Sequence, residues 1–305
     1  MHSHSHHHHA HIHHDNGTQG RMAIAFFLNL GFAIIEFIGG LLTNSTAIMA
    51  DAVHDLGDAL SIGLAWVMGG LSQKPVSTHF SYGLKRLSLL SALINGLVLI
   101  GGTAWVLSES LPRLLDPQMP HTAGMFALAL LGIAVNGYGA YKLHGGKTLN
   151  EKVLNWHLLE DMLGWIAVLI VSVVMMFVEL PILDPILAIT FSLFILFNVV
   201  RHTWTSIGLF LQKSPDPAMQ QQLQTTLLAI PGISALHHLH LWSLDGEQHV
   251  LTVHLVSDRV LDANAYQALK AEVNARLEPY RLAHTTIEVE LPDEACRDEH
   301  YLNQH

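Results

Sequence analysis

Six long apolar segments constrain this chain more than any other feature. They lie near 22–42, 46–71, 87–111, 121–142, 150–178 and 182–210, and each is long enough to cross about 30 Å of hydrocarbon as a helix. A bilayer offers the backbone no hydrogen bonds, so runs of this length fold as spanning helices. Lys and Arg set their direction. Arg21, Lys74, Lys85, Arg86, Lys142, Lys147, Lys152 and Lys213 flank the segments on the amino-terminal side, with only Arg113 opposite. That asymmetry predicts a multi-pass protein of the inner membrane with both termini in the cytoplasm.

Polar residues inside such spans need an explanation, because a carboxylate at the bilayer centre costs about 3 kcal/mol on insertion scales. The second segment reads MADAVHDLGDALS and the fifth WHLLEDMLGW, so each holds a histidine four residues before an aspartate: His54 with Asp58, and His157 with Asp161. Positions i and i+4 share a helical face. One such pair alone reads as a local hydrogen bond across a turn. Two pairs in two spans offer two nitrogens and two oxygens, a set suited to tetrahedral Zn2+.

Other polar groups rank behind these four. Asn29, Asn95, Asn136 and Asn198 suit helix–helix hydrogen bonding. Glu36 needs a partner or a water path, and Asp51, three residues before His54, is either a helix-end charge or a pathway carboxylate. Glu160 can share the His157 face as a pathway or supporting group, whereas Asp55 points roughly 100° away from His54. Gly57, Gly63 and Gly164 suit close helix packing.

Outside the spans the character changes. Residues 1–20 form a disordered tail whose His2, His4, His6, His7, His8, His9, His11, His13 and His14 suit a metal-gathering role; irregular interruptions set them apart from an engineered tag. The six spans fill 21–213. Beyond Lys213 the chain carries a net charge of −8, which disfavours nucleic acid and favours cations. There, 214–292 reads α-β-β-α-β, a two-layer ferredoxin-like α+β domain, followed by a tail at 293–305. A helix follows Pro217, strands run over 233–244 and 248–256, Asp262 caps a second helix, and 284–291 is a third strand.

This domain has a second metal-shaped face. Alternation puts Leu251, Val253 and Leu255 in the core and His254 opposite, where Glu288 and Glu290 also project. In the first strand, parity groups His238 with His240 and sends His237 inward, and a bulge would reverse this, leaving the choice among the three open. The expected set is His237, His240, His254, Glu288 and Glu290. Cys296, the single cysteine, lies near His300 and offers a soft ligand.

Together these residues resemble the cation diffusion facilitators. The likeness runs through six spans, HxxxD on the second and fifth, NSTAIMADAVHDLGDALS, HFSYGLKRL, and HHLHLWSL opening the tail's first strand. The resemblance implies a homodimeric, proton-driven exporter of divalent metal, with the central site at His54, Asp58, His157 and Asp161. His at position 54 looks like the zinc-exporting branch, with Cd2+ as a further cargo. It also implies regulatory Zn2+ in the tail domain near His237, His254, Glu288 and Glu290. The chain departs from some relatives in keeping only His79 in the loop after the second span, and in having Tyr266, Gln267 and Ala268 on the second tail helix.

Two readings compete with an exporter exchanging Zn2+ for protons. An intramembrane metalloenzyme would carry HExxH or, for di-iron, Glu-x-x-His pairs in the spans, and neither pattern is present. A membrane zinc sensor without transport stays open on sequence, although the 305 residues show no signalling domain. The expected partners are a second copy of the chain, divalent metal ions, protons and the lipid bilayer.

Overall fold

The computed structural model describes residues 16–72, 77–143 and 149–298. The histidines before residue 15, the stretch from His144 to Lys147, and His300 lie outside the described residues. Six long helices follow the six apolar segments: α1 (Asn16–Thr43), α2 (Thr46–Ser72), α3 (Leu87–Ser110), α4 (Thr122–Leu143), α5 (Leu149–Phe177) and α6 (Leu183–Phe210). Five are long and apolar enough to cross a membrane, with mean hydropathies between 1.5 and 2.1. The exception, α2, is equally long at 27 residues, but it carries Asp51, His54, Asp55 and Asp58. The segment that departs most from a membrane composition is the one bearing the first histidine–aspartate pair.

The chain divides into two compact units that are not contiguous in sequence. One comprises Met1–Gly70 with Ile94–Thr203, the other Leu71–Leu93 with Trp204–His305. In the first, Ile48 and Val53 of α2, Leu99 and Val106 of α3, Met125 and Ala129 of α4, Trp165 and Val168 of α5 and Ala188 of α6 form one buried cluster. Small residues bring backbones close here. A methyl group at Gly57 would lie 2.3 Å from Leu99 and one at Gly63 2.6 Å from Phe26, whereas Gly164 has 3.6 Å to Asp51 and no such approach. Asn95 of α3 donates to Ser61 of α2 at 2.6 Å, which is the interhelical bonding expected of it. Asn198 instead donates to Phe194 of its own helix at 3.1 Å.

In the second unit, Asp216 accepts from the Ala218 amide at 2.8 Å and starts α7 (Pro217–Leu228). Strands β1 (Ile233–Ser243) and β2 (His249–Ser257) pair antiparallel. Gly246, with φ +104°, turns the hairpin between them, a left-handed conformation open to a residue without Cβ. Asp262 accepts from the Ala265 amide at 2.7 Å and caps α8 (Ala263–Leu277). The chain then crosses over to β3 (His284–Glu290), parallel to β2, so the sheet order is β1-β2-β3. Leu251, Val253 and Leu255 are fully buried, with Leu223 and Leu227 of α7 and Leu269, Val273 and Leu277 of α8 in the same core. The α-β-β-α-β order and every strand assignment agree with the sequence pattern within a residue or two.

The connector before α3 belongs to this unit. Tyr82 meets Trp242 edge-on with ring centres 5.5 Å apart, and His284 at 5.7 Å. The Arg86 guanidinium lies 5.3 Å from the Trp242 ring centre and donates to the Phe210 carbonyl at 3.2 Å. Lys85 reaches Gln248, and Ser88 donates to the Asp245 carbonyl at 3.3 Å. These contacts give HFSYGLKRL and the Trp of HHLHLW a physical role: the connector and the β1–β2 hairpin clasp each other.

Candidate metal centres

The spacing of four in α2 and in α5 puts each imidazole and carboxylate on one face, and the two faces meet. Asp58 Oδ2 lies 3.7 Å from His54 Nε2 and 3.0 Å from His157 Nε2. Donor atoms of His54, Asp58 and His157 lie within 4.8 Å of one another, and Asp161 stands beside this group, its Oδ1 3.9 Å from His54 Nε2 and its Oδ2 3.6 Å from His157 Nε2. A tetrahedral zinc ion with bonds of about 2.0–2.1 Å separates its ligand atoms by about 3.3 Å, inside this range. The His54, Asp58 and His157 side chains are each about 30% exposed, and Asp161 is 9% exposed. Asp161 Oδ1 is a buried atom without a hydrogen-bond partner among the described residues, whereas Asp58 Oδ2 has His157 Nε2 at 3.0 Å. Imidazole nitrogens and carboxylate oxygens gathered this closely, with no Lys or Arg among the described residues paired to them, form a set that suits a cation.

Two cavities share Asp58 and Asp161. One, of about 480 Å³, is lined by Asp51, His54, Glu160 and Gly164 and, from α6, by Phe191, Phe194 and Asn198. The other, of about 510 Å³, is lined by Asn29 and Phe32 of α1, Asp55 of α2, Asn136 of α4 and His157 of α5. Glu160 and Asp51 both line the first cavity, although Asp51 is only 8% exposed. Asp55, which helical angle sets aside, opens onto the second cavity. Glu36 is 1% exposed and meets the Asp55 carboxyl, with Asp51 nearby, without lining either cavity.

The sheet holds the second cluster, and here the backbone decides the ligands. The β1–β2 register breaks between His237 and His240, and His238 takes φ +50°. This bulge cancels alternation, so the neighbours His237 and His238 both turn toward His254. Ring centres lie 5.4 Å apart for His237 and His254 and 4.9 Å for His238 and His254. Donor atoms of His237, His238, His254 and Cys296 lie within 4.8 Å of one another, with Cys296 Sγ 3.6 Å from His254 Nδ1. His238 replaces the expected His240 in this group. His240 pairs with Thr252 instead and lines a separate surface cavity with Trp242.

The two glutamates part company. Glu290, 3% exposed, approaches His254 Nδ1 at 2.8 Å and His237 Nε2 at 3.0 Å. Burial pushes its carboxyl up, but the hydrogen bonds from His254, His237 and Cys296 outweigh burial and hold it below the usual glutamate range. Glu288 lies 3.6 Å from His254 Nε2, yet it also pairs with Arg297 at 3.0 Å. Desolvation, then repulsion from the His254, His237 and His240 rings, lowers the His238 pKa, so its ring stays neutral and fit for coordination near pH 7. Alternation alone grouped His238 with His240 and sent His237 inward; the bulge is what brings the neighbours His237 and His238 to one side.

Two sequence profiles match this chain. That of the cation efflux transmembrane domain covers residues 22–211, and that of the cation efflux protein cytoplasmic domain covers 215–291. The chain belongs to the cation efflux family. Among cation efflux proteins, it is 31% identical to the zinc transporter ZitB of Pectobacterium atrosepticum, over 94% of this chain and 89% of that protein. It is 30% identical to a cadmium, cobalt and zinc/H(+)-K(+) antiporter of Bacillus velezensis, over 91% and 90%. It is 29% identical to the metal cation efflux system protein CzcD of Cupriavidus metallidurans, over 91% and 88%. The cation diffusion facilitator resemblance read from the HxxxD pairs is the same family.

Proposed function

We propose that this protein is a secondary active transporter that exports Zn2+, with Cd2+ as a further cargo, from the cytoplasm in exchange for protons. The observation that carries the reading is the meeting of two histidine–aspartate pairs, with imidazole nitrogens 3.0–3.9 Å from carboxylate oxygens. The names of relatives at about 30% identity, zinc transporter and zinc/H(+)-K(+) antiporter, support it.

In this reading His54, Asp58, His157 and Asp161 hold the transported ion. Zinc needs neutral imidazole and ionised carboxylate, so binding competes with protonation at the same four groups. Facing the cytoplasm the site sheds protons and takes zinc; facing outward it regains protons and releases zinc. The reference pKa of histidine, about 6.5, lies between a neutral interior and an acidified exterior. Alternation follows if α2 and α5, which carry the ligands, move together against their neighbours. Asp51 and Glu160 line the approach.

The protein works as a homodimer in the inner membrane, with both termini cytoplasmic. The tail cluster of His237, His238, His254, Cys296 and Glu290 fits a regulatory zinc ion, combining neutral imidazoles, a soft sulfur and a carboxylate. These residues would bind the ion and so report cytoplasmic zinc. The histidine-rich amino terminus would raise zinc concentration near the entrance.

Proteoliposomes test the reading. An imposed pH gradient should drive zinc uphill, and zinc entry should move protons the opposite way. Zinc flux that ignores the gradient and leaves internal pH unchanged, with membrane potential clamped, would make this a facilitated channel. Absence of flux would favour a sensor.

A further inference from the structure

One buried carboxylate belongs to neither centre. Asp184, in the first turn of α6, is 1% exposed. Its Oδ1 accepts from the Ser45 hydroxyl at 2.5 Å and the Ala47 amide at 3.3 Å. Its Oδ2 accepts from the Thr46 amide at 2.7 Å and the Thr46 hydroxyl at 2.8 Å. Both oxygens therefore sit on the first residues of α2, where a helix presents unpaired amides and the positive end of its dipole. The residue beside that turn already caps it in the ordinary way: Ser45 Oγ accepts from the Ile48 amide at 3.2 Å. Asp184 adds a second cap, and it comes from a different helix.

The contact joins the two helices that line a common cavity, five residues along α2 before the first wall residue, Asp51. Ser45 to Val53 are all buried, and Ser45, Thr46, Ala47 and Ile48 are each 0% exposed. His54 and Asp58, further along α2, are 28% and 27% exposed. The helix is thus enclosed on all sides where Asp184 holds it and opens past His54. Asp51, His54 and Asp58 lie five, eight and twelve residues beyond Thr46 on the same rod, about 7, 12 and 18 Å away at 1.5 Å per residue.

We propose that Asp184 is a positioning residue for transport: a pin that keeps the α1–α2 end of the α2–α6 cavity shut. An ion leaving by that end can pass only after the carboxylate releases the start of α2. The pin acts through α2 and touches no ligand of the central site. Four hydrogen bonds to a charged acceptor make the closed end a discrete state, since they are lost together when the helix end moves.

Ala50→Cys provides the reporter, because Ala50 is 2% exposed and lies one turn inside the Asp184 contacts. An impermeant thiol reagent is added outside intact cells, the face on which the Lys and Arg count puts the α1–α2 turn, with the unmodified chain and its native Cys296 as control. Ala50→Cys should react slowly, and Ala50→Cys/Asp184→Asn at least about tenfold faster, because loss of the charge frees the end. Equal rates overturn the proposal. Transport supplies a second readout, which rests on the exporter reading. For Asp184→Asn the apparent KM for zinc on the loading side should rise at least about tenfold, since fewer molecules face inward, while equilibrium zinc binding in detergent stays within about threefold. An unmoved KM, or binding lost together with transport, overturns it in favour of a purely structural role. The labelling arm uses no metal, so its failure counts against the pin alone. Absence of zinc flux in the unmodified protein counts against the exporter reading alone.

Discussion

His157 of α5 lies closer to Asp58 of α2, at 3.0 Å, than to Asp161 one turn along its own helix, at 3.6 Å. The two pairs therefore do not close on themselves. Each imidazole is shared between helices; for His54 the contact with Asp58 of its own helix, at 3.7 Å, is slightly tighter than that with Asp161 across the interface, at 3.9 Å. If the four groups hold one ion, as proposed, the loss of any of them has a definite consequence.

Removing any member should disable the whole. For Asp58→Ala or His157→Ala, zinc transport in proteoliposomes should fall at least about 100-fold, beyond the 10–100-fold typical of losing a group that merely supports a ligand. Resistance to zinc conferred on a sensitive host by either variant, correctly inserted, would contradict the assignment.

The tail cluster separates two histidines that sequence parity treats alike. In a protein whose central site is disabled by Asp58→Ala/His157→Ala, His238→Ala should weaken remaining zinc binding at least about tenfold, by calorimetric titration. His240→Ala should leave it within about threefold. The reverse ranking would mean that β1 has no bulge when metal binds.

The metal-free tail should also carry an acid limit. Glu290 is held below the usual glutamate range in the folded protein. Its contribution is therefore fully present above about pH 4.3, the unfolded value, and is lost as pH falls through the lower folded one. Thermal melts of the full chain in detergent with chelator should show a tail transition that weakens below that pH. Glu290→Gln should flatten the dependence.

Two glycines should answer alanine in opposite ways. At Gly132 a methyl group would lie 2.3–2.5 Å from ring atoms of Trp165, itself 1% exposed and unable to yield. Gly132→Ala should cost about 1–3 kcal/mol and lower the melting temperature. Gly101 has nothing within 4 Å of that position, so Gly101→Ala should be neutral or slightly stabilising.

The clasp between connector and hairpin is open to proteolysis. Trp242→Ala removes the ring that Tyr82 and Arg86 share. Trypsin should then cut after Lys85 and Arg86 at least about tenfold faster, because cleavage follows the population of the released segment. Arg86→Lys should release it partly, since an ammonium lacks the planar face that stacks on indole.

Much of this was legible in the sequence, for identifiable reasons. Helix boundaries followed from where apolar runs stop, and the meeting of His54 and Asp58 with His157 and Asp161 from a spacing of four repeated in two spans. The strands of the tail were readable from period-two alternation at Leu251, Val253 and Leu255. What could not be read was non-local. Asp184 resembles an ordinary charge before Pro185 until α2 is seen to end against it. The joint placement of His237 and His238 was hidden because a bulge shifts side-chain parity by one, which no propensity signals. Asp55 was discounted on its angle about α2, yet a cavity with walls on α1 and α4 gives that face something to line.

One consequence concerns how the chain enters the membrane. The carboxylates that suit α2 to hold a cation make it a poor candidate for partitioning into lipid by itself. Three aspartates at about 3 kcal/mol each are a burden that few apolar neighbours offset. The turn before it is correspondingly tight: Asn44 adopts φ +55°, the Ser45 amide donates to the Gly40 carbonyl at 3.0 Å, and a methyl group at Gly40 would lie 2.7 Å from Met49. With α1 at a mean hydropathy of 2.0, the pair is built to go in together as one hairpin, the greasy arm carrying the polar one. Loosening that turn should therefore show first as chains that fail in biogenesis, before any defect in handling metal can be measured.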